Sequence, residues 1–440
     1  MKKDSLNFIK NYQASIIFLL FYSTILIGFF YNEDSLGGAK PDFLYHYEIS
    51  KMFNEEFIKT LNNWGSETVS GRFTRNSPIF WIIISFLQNI FSLEFIKFIN
   101  STVSILIAYF FLKCLKIKFE KVKTSILIFL ASVIFLSPTV RSLSIWPYSL
   151  SWGLLFFIIS IYYYLLFQKE KKGKKNIALK NIFFLVISSY LYPTFAVFFL
   201  FFIYQYYLFF KFNKYFVQIL VISFLLACPS LYYIFTNDII NTFKNSQGLN
   251  TTFYQSFNLS NKIMIISTMF LFFTLPLLNF KKTFKDLKKI NFKLFLILLS
   301  FCLINIYFFD FPSLEVGGFG GGFFYKVSHL IFFNNYFFFC SFVFSMILIF
   351  GILYKNSNNL ILLFLLILFT PQLTIYNKYY DPMIFIVFLL LFKWDDEKHF
   401  FKRKGSLIQL YFFSSCYLIM GLFKSNIYYL DLKLRLFTII

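Results

Sequence analysis

Long apolar runs, separated by short clusters of lysine, set the strongest limit on the fold of this chain. Many of the runs hold about 17–25 residues, the length that an α-helix needs to cross the hydrocarbon core of a bilayer. Of the 440 residues, 58% are hydrophobic, whereas an average soluble domain is about 45–50% apolar. The alternating ten-residue segments of a membrane β-barrel do not occur in the sequence. The pattern therefore predicts an all-α, polytopic membrane helix bundle.

The lysine clusters predict how the helices are oriented. Each dense cluster lies in a short loop between two apolar runs, as in Lys113–Lys123 and Gln168–Lys175. Positive charge holds such loops in the cytoplasm, and placing every dense cluster there gives about 13 spans with a cytoplasmic N-terminus. The same placement accounts for the net charge of +22, so we expect membrane lipids and no nucleic acid as partners.

The loops between the apolar runs are too short to form soluble domains of ordinary size. We therefore expect a single integral-membrane domain over residues 1–440, with two notable outer loops at residues 32–94 and 310–329. Within the first loop, Pro78–Phe91 is a short apolar run interrupted by two amide side chains. This composition favours a helix that lies on the membrane surface over a membrane span.

The first outer loop collects acidic residues, which are scarce elsewhere in the chain. The sequence holds 20 in all, and those of the loop are Glu33, Asp34, Asp42, Glu48, Glu55, Glu56 and Glu67. Asp42 and His46 share one helix face if Pro41 opens a helix. A carboxylate at the membrane surface can accept a proton from a sugar hydroxyl that attacks an activated anomeric carbon. Asp42 is therefore the candidate general base, and an acid that caps a helix is the structural alternative.

A lipid phosphate that leaves during such a reaction needs cations around it. The nearest basic side chains are Lys40, Arg72 and Arg75, and with His46 they are the candidate substrate-binding residues of the first loop. Arg141 lies in a later outer turn and is a further candidate for binding phosphate. For the aromatic residues that follow Arg141, the favoured interpretation is that they anchor the chain at the membrane interface.

Two later outer segments carry the remaining candidates. Gly317–Gly322 precedes Lys326 and His329 but lacks the GK[ST] ending of a P-loop, so it predicts either a loop that closes over substrate or a plain linker. Lys378 stands at an outer helix end, where it can meet a lipid phosphate or snorkel to the interface.

Metal ions and other cofactors are not indicated by the sequence. Its 3 histidines are too few for a histidine-built metal site. Its 5 cysteines are scattered singly through apolar runs, without the spacing of a zinc site or a disulfide framework.

Taken together, these segments resemble the GT-C class of integral-membrane glycosyltransferases, which use polyprenyl- or dolichol-phosphate sugars. Asp42, followed by SPIFW at residues 77–81 and by Lys97, is similar to the order in protein mannosyltransferases and aminoarabinose transferases. Arg141, with Ser-Pro before it and Trp-Pro-Tyr after it, resembles a later segment of the same enzymes. The DxxxH pattern from Asp42 and the KYY segment at Lys378 look like the glucosyltransferase that completes the dolichol-linked oligosaccharide.

The chain also departs from these patterns. Asn-Ser-Pro at residues 76–78 replaces the usual His-Pro-Pro, and Lys97 stands where an arginine is common. The segment after Arg141 lacks the acid that some members carry, so a second catalytic acid and a metal requirement are not implied.

The resemblance implies a sugar transferase at the outer face of a bacterial inner membrane. Asp42 would act as the base, with Arg141 and Lys378 as contacts to the phosphate of a polyprenyl-phosphate sugar donor. The acceptor would be a lipid-linked glycan, lipopolysaccharide or protein. Two alternatives stay open: an O-antigen polymerase, which usually presents arginines in two large outer loops, and a lipid-linked sugar flippase or transporter, whose signature is charged or broken helices at mid-membrane.

Overall fold

A computed structural model of the chain describes most of its residues, namely 2–36, 38–64, 77–170, 172–236, 258–278, 287, 291–311, 320–353, 356–370, 374–393 and 406–437. In these ranges the regular structure is helical, and the β-structure consists of an isolated bridge between Gly320 and Ile375. The prediction of an all-α protein is therefore confirmed for the part of the chain that the structure describes.

The chain packs as two compact units, the first comprising Met1–Gly248 and Leu407–Ile440 and the second Leu249–Ser406. The helices of the first unit are α1 (Lys2–Phe30), α2 (Ala39–Ser50), α3 (Met52–Glu55), α4 (Phe57–Asn63), α5 (Pro78–Gln88), α6 (Leu93–Lys118), α7 (Thr124–Ser132), α8 (Pro138–Ile145), α9 (Ser149–Lys169), α10 (Lys174–Leu191), α11 (Phe199–Phe210) and α12 (Lys214–Thr236).

The second unit is built from α13 (Leu259–Thr274), α14 (Phe292–Tyr307), α15 (Gly322–Phe332), α16 (Tyr336–Leu353), α17 (Ser357–Leu368), α18 (Asn377–Tyr380) and α19 (Met383–Leu390). The last helix, α20 (Ser406–Phe437), begins at the end of this unit and otherwise belongs to the first. The expectation of one integral-membrane domain stays a prediction, because two compact units can still form one membrane-embedded domain.

Several of these helices are long and apolar enough to cross a membrane. Among the described residues there are 7 such segments, namely Asn11–Phe30, Leu93–Lys118, Ser149–Lys169, Pro193–Phe210, Lys214–Tyr233, Leu259–Leu277 and Ser406–Phe423. An eighth results if Thr124–Leu136 and Pro138–Ile145, which meet at an angle of 67°, form one broken span. These helices are those of a multi-pass membrane protein.

The predicted outer loop at residues 310–329 is a loop only in part. Helix α15 begins at Gly322, so Lys326 and His329 lie on a helix and not on a flexible segment. Residues 312–319, which include the first half of the glycine-rich stretch, lie outside the described residues. The helix begins at Gly322 because Gly320 and Gly321 have positive φ angles of +100° and +88°, which glycine adopts without steric cost.

Within each unit, helix ends that the sequence places on the same side of the membrane contact one another. In the first unit, Glu120 and Lys169 from two predicted cytoplasmic loops form an ion pair of 2.6 Å. In the second unit, the Asn359 side chain exchanges two hydrogen bonds with the backbone of Lys393, at 2.8 and 2.9 Å. The alternation of helix ends across the membrane that the lysine clusters predict stays a prediction.

Candidate active site

The short loop after α1 fixes the start of α2. The Asp34 carboxylate accepts hydrogen bonds from the backbone N–H groups of Gly38, Ala39 and Lys40, at 3.0, 3.2 and 3.1 Å. These N–H groups lie at the start of a helix, where no earlier turn supplies carbonyl acceptors. The capping role that the sequence left open for Asp42 therefore belongs to Asp34, which is itself buried.

Asp42 lies in the first turn of α2, which begins at Ala39. The ring nitrogen Nδ1 of His46 is 2.7 Å from the backbone carbonyl oxygen of Asp42. Because a carbonyl oxygen only accepts hydrogen bonds, Nδ1 is the nitrogen that donates. The predicted proximity of Asp42 and His46 on one helix is thus present. Asp42 is half-buried, so its surroundings are neither fully solvated nor sealed.

His46 and its helix rest on α5. The imidazole stacks on the indole of Trp81, with ring centroids 4.9 Å apart and planes 13° from parallel. On the next turn, the Gln88 side chain donates to the Tyr47 carbonyl and to the Ser50 hydroxyl, at 3.1 and 2.9 Å. These contacts pin one side of α2 to α5, which limits the motion of the residues that α2 carries.

Helix α5 has a buried side and an exposed side, and its placement on the membrane surface stays a prediction. Its side chains Phe80 and Trp81 are fully buried, whereas Phe86 and Ile90, at and just beyond its end, are 63% and 56% exposed. Pro78 occupies the first turn, where its missing N–H costs no hydrogen bond. The exposed apolar side chains are those expected of a helix at a membrane surface.

A buried ion pair joins the end of α1 to α8. The Glu33 carboxylate accepts hydrogen bonds from Nε and Nη2 of Arg141, at 2.7 and 2.5 Å. Thr24 accepts two further bonds through its hydroxyl and carbonyl oxygens, at 2.7 and 3.1 Å, and the Phe135 carbonyl accepts a fifth at 3.5 Å. All five N–H groups of the guanidinium thus have acceptors.

This pairing bears on the predicted role of Arg141. The arginine is 6% exposed, and its carboxylate partner occupies the bidentate edge on which a phosphate would bind. Phosphate binding by Arg141 would require that the pair with Glu33 open first. The geometry therefore gives Arg141 a structural task, and its contact with substrate stays a prediction.

Trp146 lies beside two lysines. Its indole N–H donates to the Glu33 carbonyl at 3.1 Å. The ammonium of Lys97 lies 4.4 Å from the ring centroid and that of Lys40 lies 5.4 Å from it, distances that suit cation–π attraction. Lys97 is 1% exposed and also donates to Asn32 at 2.7 Å and to Glu94. Of the two lysines, Lys40 is the one that lies two residues before Asp42 in sequence and is partly open to solvent.

The remaining predicted site residues are distributed as follows. Arg72 and Arg75 lie outside the described residues. Lys326 and Lys378 belong to the second unit, whereas Lys40, Asp42, His46 and Arg141 belong to the first. The ammonium of Lys378 lies 5.4 and 5.8 Å from the rings of Tyr376 and Tyr379. The structure thus places Lys40, Asp42 and His46 on one helix, α2, and the convergence of their side chains on one site stays a prediction.

Sequence reasoning missed the tasks of Glu33, Asp34 and Lys97. The sequence did carry a signal for the task of Glu33. An arginine within a segment such as Pro138–Ile145 must be paired with an acid if it is buried. The acids that directly follow α1 were the nearest candidates for that partner. Within the described part of the chain, no three side chains of the metal-ligating types come close enough together to hold a metal ion.

The arrangement on α2 has the elements of acid–base chemistry at a surface. A half-buried carboxylate, an imidazole one turn away and a partly exposed ammonium lie on a helix that is held at its start and along one side. Comparison of the chain with protein-family models, curated proteins and solved structures finds no match.

Proposed function

We propose that this chain is a membrane glycosyltransferase. It moves a sugar from a polyprenyl-phosphate donor to a lipid-linked glycan, lipopolysaccharide or protein at the outer face of a bacterial inner membrane. The observation that carries the proposal is α2, which presents Lys40, Asp42 and His46 from a helix immobilised by the Asp34 cap and by Trp81. Chemical groups held in fixed positions are what catalysis by proximity and electrostatic stabilisation requires.

In the proposed reaction, the Asp42 carboxylate takes the proton of the acceptor hydroxyl as that oxygen attacks the anomeric carbon. The new glycosidic C–O bond forms while the bond from the anomeric carbon to the phosphate oxygen breaks, and the polyprenyl phosphate leaves with the bonding electrons. Lys40, with Arg72 and Arg75 from the same loop, balances the charge of the leaving phosphate. His46 donates to the Asp42 backbone and thereby keeps the first turns of α2 together.

The proposed topology has about 13 spans, with the N-terminus in the cytoplasm and the loop at residues 32–94 outside. The spanning helices described above support it. Further support comes from shorter apolar helices, which packing can hold at membrane depth, namely Phe292–Tyr307, Tyr336–Gly351 and Ser357–Leu368. Pro78–Gln88 is the surface helix of this arrangement.

The experiment that tests the proposal compares two isosteric variants on the same helix. A deletion strain of the native host is complemented with the wild type, Asp42→Asn or Glu48→Gln, and its surface and lipid-linked glycans are profiled by mass spectrometry. Loss of the general base should lower transfer by about 10²–10⁴-fold, so Asp42→Asn should leave the glycan of the deletion strain. Glu48 pairs with Lys51 in solvent at 2.7 Å, so Glu48→Gln should restore the wild-type glycan.

Glycan transfer by Asp42→Asn at the wild-type level would refute the assigned base. The experiment therefore also records the amount of each variant in the membrane, because a variant that fails to insert says nothing about catalysis. If the deletion strain makes the same glycans as the wild-type strain, the protein is not needed for glycan transfer, and the enzyme proposal is refuted.

A flippase or transporter of lipid-linked sugars is the second candidate, and buried cations favour it. Lys97 and Lys262 are each 1% exposed, and each lies in a helix that qualifies as a membrane span. Charges inside the membrane are typical of transport pathways. Both lysines, however, lie within the first two turns of their helices, at the ends that the predicted topology places outside, so transport is the second candidate. Movement of a lipid-linked sugar across vesicles that contain the purified protein, without any change in its sugar mass, would establish this function in place of the first.

A further inference from the structure

Lys262 is a buried lysine at the centre of the second unit. It lies one turn from the start of α13, the helix against which α14, α15, α16, α17 and α19 pack. Every residue from Asn261 to Thr274 is buried, and Lys262 itself is 1% exposed. Its ammonium donates a hydrogen bond to the backbone carbonyl of Thr370, just beyond the end of α17.

Several helix ends of the second unit meet around this lysine. The Asn261 side chain exchanges hydrogen bonds with the backbone of Asp310, at 2.6 and 2.9 Å. The ring of Tyr380 lies 5.9 Å from that of Phe369, the neighbour of Thr370. Tyr380 and Lys378 lie on α18, so α18 borders the place where Lys262 is held.

A glycine contact fixes the segment that leads into α18. The Gly321 N–H donates to the Ile375 carbonyl at 3.0 Å. A Cβ atom on Gly320 would lie 2.1 Å from the same carbonyl oxygen, so the close approach depends on glycine. The backbone beside α18 is thereby tied to the start of α15, and this limits where α18 can lie.

The position of Lys262 favours a negative ligand. Lysine side chains are seldom placed inside apolar membrane helices unless they serve a function. The N-terminal end of a helix carries a partial positive charge, which acts in the same direction as the ammonium, and both act more strongly at low dielectric. Burial also raises the pKa of Tyr380. A tyrosine hydroxyl, whose ordinary pKa is about 10, is protonated at neutral pH in any case and is able to donate a hydrogen bond.

We propose that Lys262 is the inner cation of a phosphate-binding site in the second unit, with Tyr380 and Lys378 of α18 at its border. The ligand is a phosphate ester carried by a lipid, the chemical class to which the polyprenyl-phosphate donor belongs, and this assignment of the ligand rests on the proposed function. The alternative is that Lys262 only caps the carbonyl groups at the end of α17.

The test measures binding of farnesyl phosphate and of farnesol to the full chain in lipid nanodiscs by isothermal titration calorimetry. Lys262→Met removes the charge at similar length, Lys262→Arg keeps it, and Tyr380→Phe removes only a hydroxyl. Lys293→Met is the matched control, because Lys293 is an exposed lysine near the start of the neighbouring helix α14.

Loss of a charged hydrogen-bond donor should weaken farnesyl phosphate binding by at least about tenfold in Lys262→Met. Lys293→Met should bind as the wild type does, and Lys262→Arg should lose less affinity than Lys262→Met. Wild-type affinity in Lys262→Met, or equal affinity of the wild type for farnesol and farnesyl phosphate, would overturn the proposal and leave the capping role. If Lys262→Met does not fold, wild-type affinity in Tyr380→Phe would overturn it.

A lipid phosphate and free phosphate could both bind beside Lys262. Inorganic phosphate, added as a competitor, distinguishes the two ligands. Competition at the concentrations that saturate farnesyl phosphate would assign the site to free phosphate, and weak competition would assign it to a lipid phosphate. Asp42→Asn should bind farnesyl phosphate normally. Binding through Lys262 without any sugar transfer would therefore reject the proposed function and retain the phosphate site.

Discussion

Arg141 and Glu33 are 108 residues apart in the chain and form a buried pair in the fold. Removing one partner of such a pair leaves the other charge buried, which is more costly than losing a surface ion pair. The pair links α1 to α8 next to the loop from which α2 begins. Its loss should therefore lower the stability of the first unit as well as the order of α2.

We predict that Arg141→Met lowers the free energy of unfolding by about 3–5 kcal/mol. Thermal unfolding in detergent, followed by the fluorescence of a thiol-reactive dye, measures the change. The double variant Glu33→Met with Arg141→Met removes both charges and should regain much of the loss. Equal melting temperatures for Arg141→Met and the wild type would show that the pair does not stabilise the fold.

At the scale of single residues, the sequence indicated which side chains are unusual and not which partners they have. Arg141 stands out because charges are rare in its surroundings, and this led to the prediction that it binds phosphate. Its pairing with Glu33 depends on how α1 and α8 pack, which no local pattern encodes. Asp42 and His46 were predictable as neighbours, because one helical turn separates them whatever the tertiary structure is.

At the scale of elements, α2 depends on a cap that precedes it in the chain. Asp34 accepts three backbone hydrogen bonds at the start of the helix, and the N-cap residue Gly38 has no side chain that could replace it. Loss of such a cap costs about 0.5–2 kcal/mol. The first turn of α2, which carries Lys40 and Asp42, is the part that should loosen.

We predict that Asp34→Ala speeds amide hydrogen exchange in the first turns of α2 by about 2–30-fold. This is the change in the opening equilibrium that corresponds to the free energy lost with the cap. Hydrogen exchange with mass spectrometry measures this on peptides that cover α2 and α9. Exchange in α9 should stay unchanged, and Glu48→Ala, which removes an exposed acid from the same helix, is the control. Equal exchange in α2 for Asp34→Ala and the wild type would exclude the capping role.

Helix α5 was predictable because its proline and its apolar run mark both its start and its buried side. The bend between α7 and α8 was harder to foresee. Ser137 caps α8 by accepting a hydrogen bond from the Val140 N–H at 3.1 Å. Ser137 followed by Pro138 is a signal for the start of a helix, although the sequence around these residues is largely apolar. The break after α15 similarly depends on Asn334, whose side chain accepts the Tyr336 N–H at 3.0 Å.

At the scale of the whole molecule, the account requires that the first loop and the lysine clusters lie on opposite sides of the membrane. In a background in which the 5 native cysteines are replaced, Glu55→Cys should react with an impermeant maleimide in intact cells. Lys121→Cys and Lys172→Cys should react only after permeabilisation. All three positions are exposed in the structure, so a difference in labelling reports sidedness. The opposite labelling pattern would invert the topology and place α2 in the cytoplasm.

The class of the molecule followed from hydropathy, since apolar runs of bilayer length determine that helices cross a membrane. The division into two compact units did not, because it arises from contacts between distant helices. The resemblance to GT-C enzymes gave an expectation for Asp42 through short segments, and it is the chemistry at α2 that an experiment must now decide.

The most direct measurement follows the reaction itself. Lipid extract from the deletion strain is incubated with the purified protein, and mass spectrometry records both polyprenyl phosphate and the lipid-linked glycans. The account predicts that the wild type and Glu48→Gln release polyprenyl phosphate as one glycan gains the mass of a sugar, and that Asp42→Asn does neither. Full product formation by Asp42→Asn, or no gain of sugar mass with the active wild-type protein, would contradict it.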